Sequence, residues 1–472
     1  MEFDDLCFSP AVRLLQMLRS KEVSSVELTE LFLERIETHN QKLNAVVTLV
    51  EQRACEEAEQ SDRNIAAGRP RALEGLPITM KDAIETAGIR STNGMKAFEH
   101  NVPSEDAPVV ARLRAAGAII IAKTNVPEMS MDYDCDNPVF GATNNPWNLT
   151  RVPGGSSGGE AASLASGFGA FGFGGDYGGS IRVPAHFCGI TGLKPSWGTI
   201  PGKGHMPGGQ AAPPPISQMA TVGPMARCVD DLIMVYNIVR GPHPETPYTA
   251  PSNEARPDQV EVRRLKCATF TDVSGLAPVA KDIRGAVDRA ACVLEKMGVL
   301  VESKTPPVER GADLWQRYAM ADGNVLMHGA LGDKVKLSRE RLTKALLTPA
   351  PSKTAAEFFM IAMERDLYRI ELAKFMEHHP ILVCAPFCVS AFPHGAYDVD
   401  IDGSTHSLYS ANWPAIWVNC AGLPAAVVPA GFDSQGLPIG VQVVGRAFDE
   451  EKVLAVAKVL ESELGGFQRP PL

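Results

Sequence analysis

The chain has 472 residues, 45% of them hydrophobic and 21% charged, an ordinary globular composition that excludes a disordered or fibrous protein. Its 45 basic and 55 acidic residues give a formal charge of −10, a balance without the basic footprint that nucleic-acid binding needs. No apolar run approaches the roughly 18 residues of a membrane span, so neither nucleic acid nor membrane is an expected partner. The acidic start Met1-Glu2-Phe3-Asp4-Asp5 lacks the apolar stretch of a secretory leader. Ten scattered cysteines show no Cys-x-x-Cys spacing, and no histidines flank them at metal-ligand spacing. We therefore expect buried, reduced thiols, no metal, no organic cofactor and a cytoplasmic protein.

In chain order, residues 24–40 read as an amphipathic helix, with Ser24 as cap, Glu27 closing a capping box, and Leu28, Leu31, Phe32 and Ile36 on one stripe. Ala45–Val50 is expected as a strand, 51–67 as a polar helix, and Leu76–Met80 as a strand ending at Lys81. A helix over Asp106–Ala116 precedes the apolar strand Ala118–Ala122. From 150 to 210 the sequence is dense in glycine and other small residues, which brings backbone close to a ligand or to more backbone. A helix at 229–239 leads into a proline-rich polar stretch, 241–259, which is either a surface loop or a boundary. A strand at Lys266–Phe270, a helix at Pro278–Met297 and apolar strands within Gly422–Val444 follow. Such strand–helix alternation predicts an α/β protein.

Two motifs mislead. Gly167 to Gly172 spells Gly-x-Gly-x-x-Gly, yet it follows a small-residue helix and no acidic residue lies about 20 positions on. Gly154-Gly155-Ser156-Ser157-Gly158 spells the nucleophile elbow, but the run before it holds Pro146 and Pro153, which make a poor central strand.

Three segments do fit together. They are Lys81 closing Pro77–Lys81, Ser156 within Gly-Gly-Ser-Ser-Gly-Gly 75 residues later, and Ser180 within Tyr177-Gly178-Gly179-Ser180 a further 24 on. With these residues the chain resembles the amidase-signature hydrolases, most strongly over 70–205 and again over Asn419–Gly445. The resemblance implies an amidase that cleaves C–N bonds through a Ser–cis-Ser–Lys triad, with nucleophile Ser180, bridging Ser156 and base Lys81. It implies an oxyanion hole in the backbone of Tyr177, Gly178, Gly179 and Ser180. It also implies an α/β fold whose large mixed β-sheet core is covered by helices on both faces. We expect a single domain over 1–472, with core 1–240 and 405–472 and a more variable segment 241–404.

The chemistry is self-consistent. A serine hydroxyl needs a neighbouring base, and a lysine is one only when burial has lowered its pKa from about 10.4 toward 7–8. Consecutive amides in a glycine turn can meet a developing oxyanion. Asp176 and Arg182 are read as a structural ion pair, and Ser157 as a residue that orders the loop. The stretch Lys123–Pro138 is similar to that of fatty-acid amide hydrolases and aryl acylamidases; on that likeness Ser130, Met131, Met129 and Tyr133 bind substrate. With Met80, Trp147 and Tyr177, they would form an apolar pocket. The expected partner is a small neutral amide or carbamate, and the expected assembly a homodimer. The alternative is the glutaminase subunit of a tRNA-dependent amidotransferase, which typically reads Ser-Thr-Glu-Asn-Ser where this chain has Asp134-Cys135-Asp136-Asn137-Pro138.

Overall fold

The computed structural model describes residues 3–205, 214–321 and 352–472; part of the expected variable segment, 322–351, lies outside them. The chain opens with helices, of which Ser25–Leu43 begins where expected. The Ser24 hydroxyl accepts from the Glu27 N–H while the Glu27 carboxylate accepts from the Ser24 N–H. This reciprocal pair satisfies two donors that a helix start leaves open.

Thirteen strands follow in the described residues: β1 (Val46–Leu49), β2 (Pro77–Lys81), β3 (Ile119–Thr124), β4 (Phe171–Asp176), β5 (Thr191–Lys194), β6 (Thr221–Ala226), β7 (Lys266–Thr269), β8 (Leu300–Ser303), β9 (Ile381–Cys384), β10 (Asp398–Ile401), β11 (Ser404–Ser407), β12 (Ala425–Phe432) and β13 (Pro438–Gly445). Eight of them form one mixed sheet in the order β4-β6-β5-β12-β13-β9-β7-β8. Its β7 pairs are parallel and the remainder antiparallel. The segment 241–404 supplies β7, β8 and β9, so it extends this sheet rather than standing apart. A separate three-stranded sheet, β1-β3-β2, carries Lys81 at the end of β2. The strands β10 and β11 make a small hairpin.

Helices cover both faces of the large sheet, and two glycines on β13 show it. A Cβ at Gly440 would lie 3.4 Å from the His186 Cα, in the helix Arg182–Cys188; one at Gly445 would run into Val453 of Glu450–Leu464. The two positions are five apart on a regular strand and therefore face opposite ways.

The glycine-dense stretch is where the two sheets meet. The helix Gly158–Ala165 is wholly buried and packs against β2 and β4. It fits because Gly159 lies against the Asn125 backbone and Gly172 against the Glu160 carboxyl. The Ala170 N–H donates to the Pro77 carbonyl at 3.0 Å, tying the start of β4 to the start of β2. Lys81 and Asp176, the last residues of those strands, end near enough to interact electrostatically. In β6, a Cβ at Gly223 would overlap the Leu193 carbonyl oxygen, part of the neighbouring strand's backbone. Gly223→Ala should therefore cost about 3 kcal/mol of stability, the upper range for overpacking, as read by denaturant unfolding.

Candidate active site

Lys81 has no solvent exposure, and its Nζ stands 2.6 Å from the Ser156 Oγ. Burial pulls its pKa from 10.5 down to about 7, only partly opposed by the carboxyl groups of Asp176 and Glu160. An amine in this state is neutral over much of the physiological range and can accept a proton. Ser156 follows a cis Gly155–Ser156 peptide, and no strand precedes it, so the elbow motif is not a nucleophile elbow.

Glu160, a residue that the motifs did not single out, is wholly buried and acts on the lysine electrostatically. It accepts from the hydroxyls of Thr79 and Thr124, the latter at 2.7 Å, and burial raises its pKa to about 7. A carboxylate inside the otherwise small and apolar run Gly158–Ala165 was the available signal. Cys135 and His205 complete the surroundings. Burial holds the Cys135 thiol protonated, with its pKa raised to about 12. The His205 ring lies over Gly175; burial and the charge of Lys81 depress its pKa to about 3, so it stays neutral.

Ser180 is half-buried on the turn that follows β4. Its carbonyl accepts from the Ser157 N–H at 3.1 Å, which places it one residue from Ser156. Ser157 also approaches the Gly175 backbone at 3.4 Å, in keeping with a loop-ordering role. Among the described residues the Ser180 hydroxyl makes no hydrogen bond, so the Ser180–Ser156 link of a relay is not formed here.

Asp176 and Arg182 fix this turn. They form a bidentate pair with both bonds at 2.9 Å, and neither residue is exposed. Burial alone would raise the Asp176 pKa, but the guanidinium and Asn419 outweigh it and hold the carboxyl far below its usual range. The remaining Arg182 donors go to the Ala415 carbonyl, Gln442 and Asn419, so all five are used. Asn419 and Gln442 come from distant sequence, on the helix Trp413–Ala421 and on β13.

The expected oxyanion hole needs one correction. The Gly179 N–H donates to Asp176 at 2.9 Å and is not available to a substrate. Among the described residues the Gly178 and Ser180 N–H groups on either side of it have no partner and can serve as donors.

The expected pocket residues separate. Met129 and Ser130 both have positive φ, 60° and 57°, conformations that non-glycine residues hold only when their surroundings insist. Asn93 does so, accepting from the Met129 N–H at 2.9 Å and from the Ser130 hydroxyl at 2.7 Å. Met129 is buried and Met131 is exposed. The Tyr133 hydroxyl donates to the Gly178 carbonyl at 3.1 Å, beside the nucleophile turn. Met80 lies buried within β2. Trp147 does not reach this region: its indole donates to the Cys188 carbonyl, at the far end of the helix that starts after Ser180. An aromatic residue the sequence did not offer, Trp315, packs on Tyr177 with ring centroids 5.1 Å apart.

The family model for amidases matches residues 27–454. The chain is 34% identical to a glutamyl-tRNA(Gln) amidotransferase subunit from Roseiflexus castenholzii, over 97% of this chain and 96% of that protein. A bacterial aryl acylamidase of the amidase-signature family superposes with TM-score 0.85 at 25% identity, covering 96% of each chain. The corresponding amidotransferase subunit from Thermotoga maritima superposes with TM-score 0.76 at 26% identity, covering 94% of each. The chain belongs to the amidase, or amidase-signature, family and is an amidase acting on C–N bonds. None of its described helices is long and apolar enough to cross a membrane.

Two outcomes follow from this geometry. Glu160→Gln removes a negative charge that favours protonated Lys81, so the lysine pKa falls and the rising limb of the pH–rate profile moves toward acid. Arg182→Leu leaves Asp176 buried and unpaired, which should cost about 3–5 kcal/mol in unfolding experiments.

Proposed function

We propose that the protein is a serine amidase that hydrolyses small neutral amides carrying an apolar or aromatic group, anilides and carbamates included, through an acyl-enzyme on Ser180. The observation that carries this reading is the buried Lys81 amine 2.6 Å from Ser156, its pKa lowered to about 7, with Ser156 itself one residue from the partner of the Ser180 carbonyl.

The Ser180 hydroxyl, turned about its χ1 toward Ser156, attacks the amide carbonyl carbon. Its proton passes to Ser156, whose own proton passes to the Lys81 lone pair. Catalytic hydrogen bonds of this kind often tighten only with substrate in place. The oxyanion that forms is met by the Gly178 and Ser180 N–H groups. As the intermediate collapses, the C–N bond breaks and the proton returns from Lys81 through Ser156 to the leaving nitrogen. Water then attacks the ester of Ser180, giving up its proton along the same route. The product acid leaves and the serine is restored.

Two features favour a neutral substrate with apolar character. Arg182, the guanidinium at the nucleophile turn, has every donor committed within the protein and cannot receive a substrate carboxylate. Tyr133, Tyr177 and Trp315 stand around the same turn. The second reading, a glutaminase subunit working within a tRNA-dependent amidotransferase, is favoured by the 34% identity to an amidotransferase component. Against it stands Asp134, which departs from the usual Ser-Thr-Glu-Asn-Ser stretch and here binds His394 at 2.9 Å.

The purified chain alone should hydrolyse an acyl p-nitroanilide. Ammonia release from glutamine only with partner subunits would instead establish the second reading. Ser180→Ala should abolish turnover and Lys81→Met should reduce it by orders of magnitude. The rate should rise with pH through an inflection near 7, because the catalytic form of Lys81 is deprotonated and dominates above that value. A rate highest at pH 5 is incompatible with a lysine base.

A further inference from the structure

The nucleophile turn consists of three successive peptide units whose carbonyls are each held from outside. The Tyr177 carbonyl accepts from the Trp315 indole N–H at 2.9 Å. The Gly178 carbonyl accepts from the Tyr133 hydroxyl at 3.1 Å and from Asn412 at 3.0 Å. The Gly179 carbonyl accepts from the Val183 N–H at 2.7 Å, in the first turn of the following helix. In a planar trans peptide the C=O and the next residue's N–H point in opposite directions. Fixing each carbonyl therefore fixes the amide behind it. The middle unit is closed at both ends, because its Gly179 N–H goes to Asp176. The outer two units present the Gly178 and Ser180 N–H groups.

The Ser180 amide is set by the helix that begins beside it, as backbone geometry alone provides. The Gly178 amide depends on a side chain from elsewhere. Trp315 lies on the helix Val308–Ala319, within the segment to which the sequence assigned no role. Its ring packs on Tyr177 at 5.1 Å and 49°. The edge of that ring also stands 3.2 Å from where a Gly178 Cβ would be, so the unit is confined on that side as well.

We propose that Trp315 is a positioning residue of the oxyanion site: its indole N–H holds the Tyr177 carbonyl and so aims the Gly178 N–H at the oxyanion. This rests on the serine-amidase reading above. Trp315 touches no reacting atom and acts through the peptide between Tyr177 and Gly178. Its contribution belongs to the transition state, where negative charge reaches that oxygen, and not to the binding of the ground-state amide.

Trp315→Phe keeps an aromatic ring against Tyr177 and removes the indole donor. Losing an oxyanion donor outright costs about 100- to 1000-fold in kcat, so losing its alignment should cost on the order of 10- to 100-fold. KM for the p-nitroanilide should stay near that of the parent protein. Inhibition by an aryl trifluoromethyl ketone, which forms a tetrahedral oxyanion on serine, should weaken by a factor comparable to the loss in kcat. The pH inflection set by Lys81 should not move. Site-specific replacement of Trp315 by benzothienylalanine exchanges only the N–H for sulfur, and gives the same readout if the phenylalanine variant folds poorly. An unchanged kcat, or a loss confined to KM, overturns the proposal. Ser180→Ala measured in parallel separates the two levels: if it keeps its activity, the serine-amidase reading itself fails, whatever Trp315 does.

Discussion

An amine shut away from water is the constraint around which this site is built. Shifting a lysine from 10.5 to about 7 corresponds to roughly 5 kcal/mol disfavouring its charged form. That displacement requires dry walls on every side. They are β2 itself, the buried helix Gly158–Ala165, the Cys135 thiol held neutral, and the neutral ring of His205. Glu160 works in the other direction, since its charge would stabilise the ammonium, yet burial also pushes that carboxyl toward its neutral form.

A second constraint is the rigidity of the turn after β4. Asp176 joins Arg182, Asn419 and the amides of Gly179 and Ile181 in one buried network. Taking such charges out of water is unfavourable unless every donor and acceptor is matched, and here the guanidinium has no donor left over. The network consumes one of the four amides expected from the sequence as oxyanion donors, that of Gly179. The Gly178 and Ser180 amides stand on either side of that closed peptide, so the expected run of four is interrupted.

The relatives point two ways, and the reason is physical. Identity over the whole chain to a component of an amidotransferase reflects the shared scaffold of sheets, helices and nucleophile turn. The segment 241–404 adds its own contacts to that scaffold. Trp315 and His394 both lie in that segment, reaching Tyr177 and Asp134 respectively. A family model that spans 27–454 defines the reaction class without defining the amide.

Local patterning determined much of this protein. Ser24 and Glu27 announce a helix start because their hydrogen bonds span three residues. Apolar runs such as Ile119–Ala122 form buried strands because nothing else covers them so well. The spacing of Lys81, Ser156 and Ser180 was visible because each sits in a motif of its own. Tertiary structure alone decided what crosses those segments. The strands β2 and β4 belong to different sheets, and their close approach depends on glycines that admit Glu160 and Ser157 from a helix between them. Gly179 lost its free amide to a carboxylate three residues earlier, and Gly178 took its direction from an indole 137 positions away in sequence. A sequence states which donors exist; only the fold settles where each one points and whether another group has already claimed it.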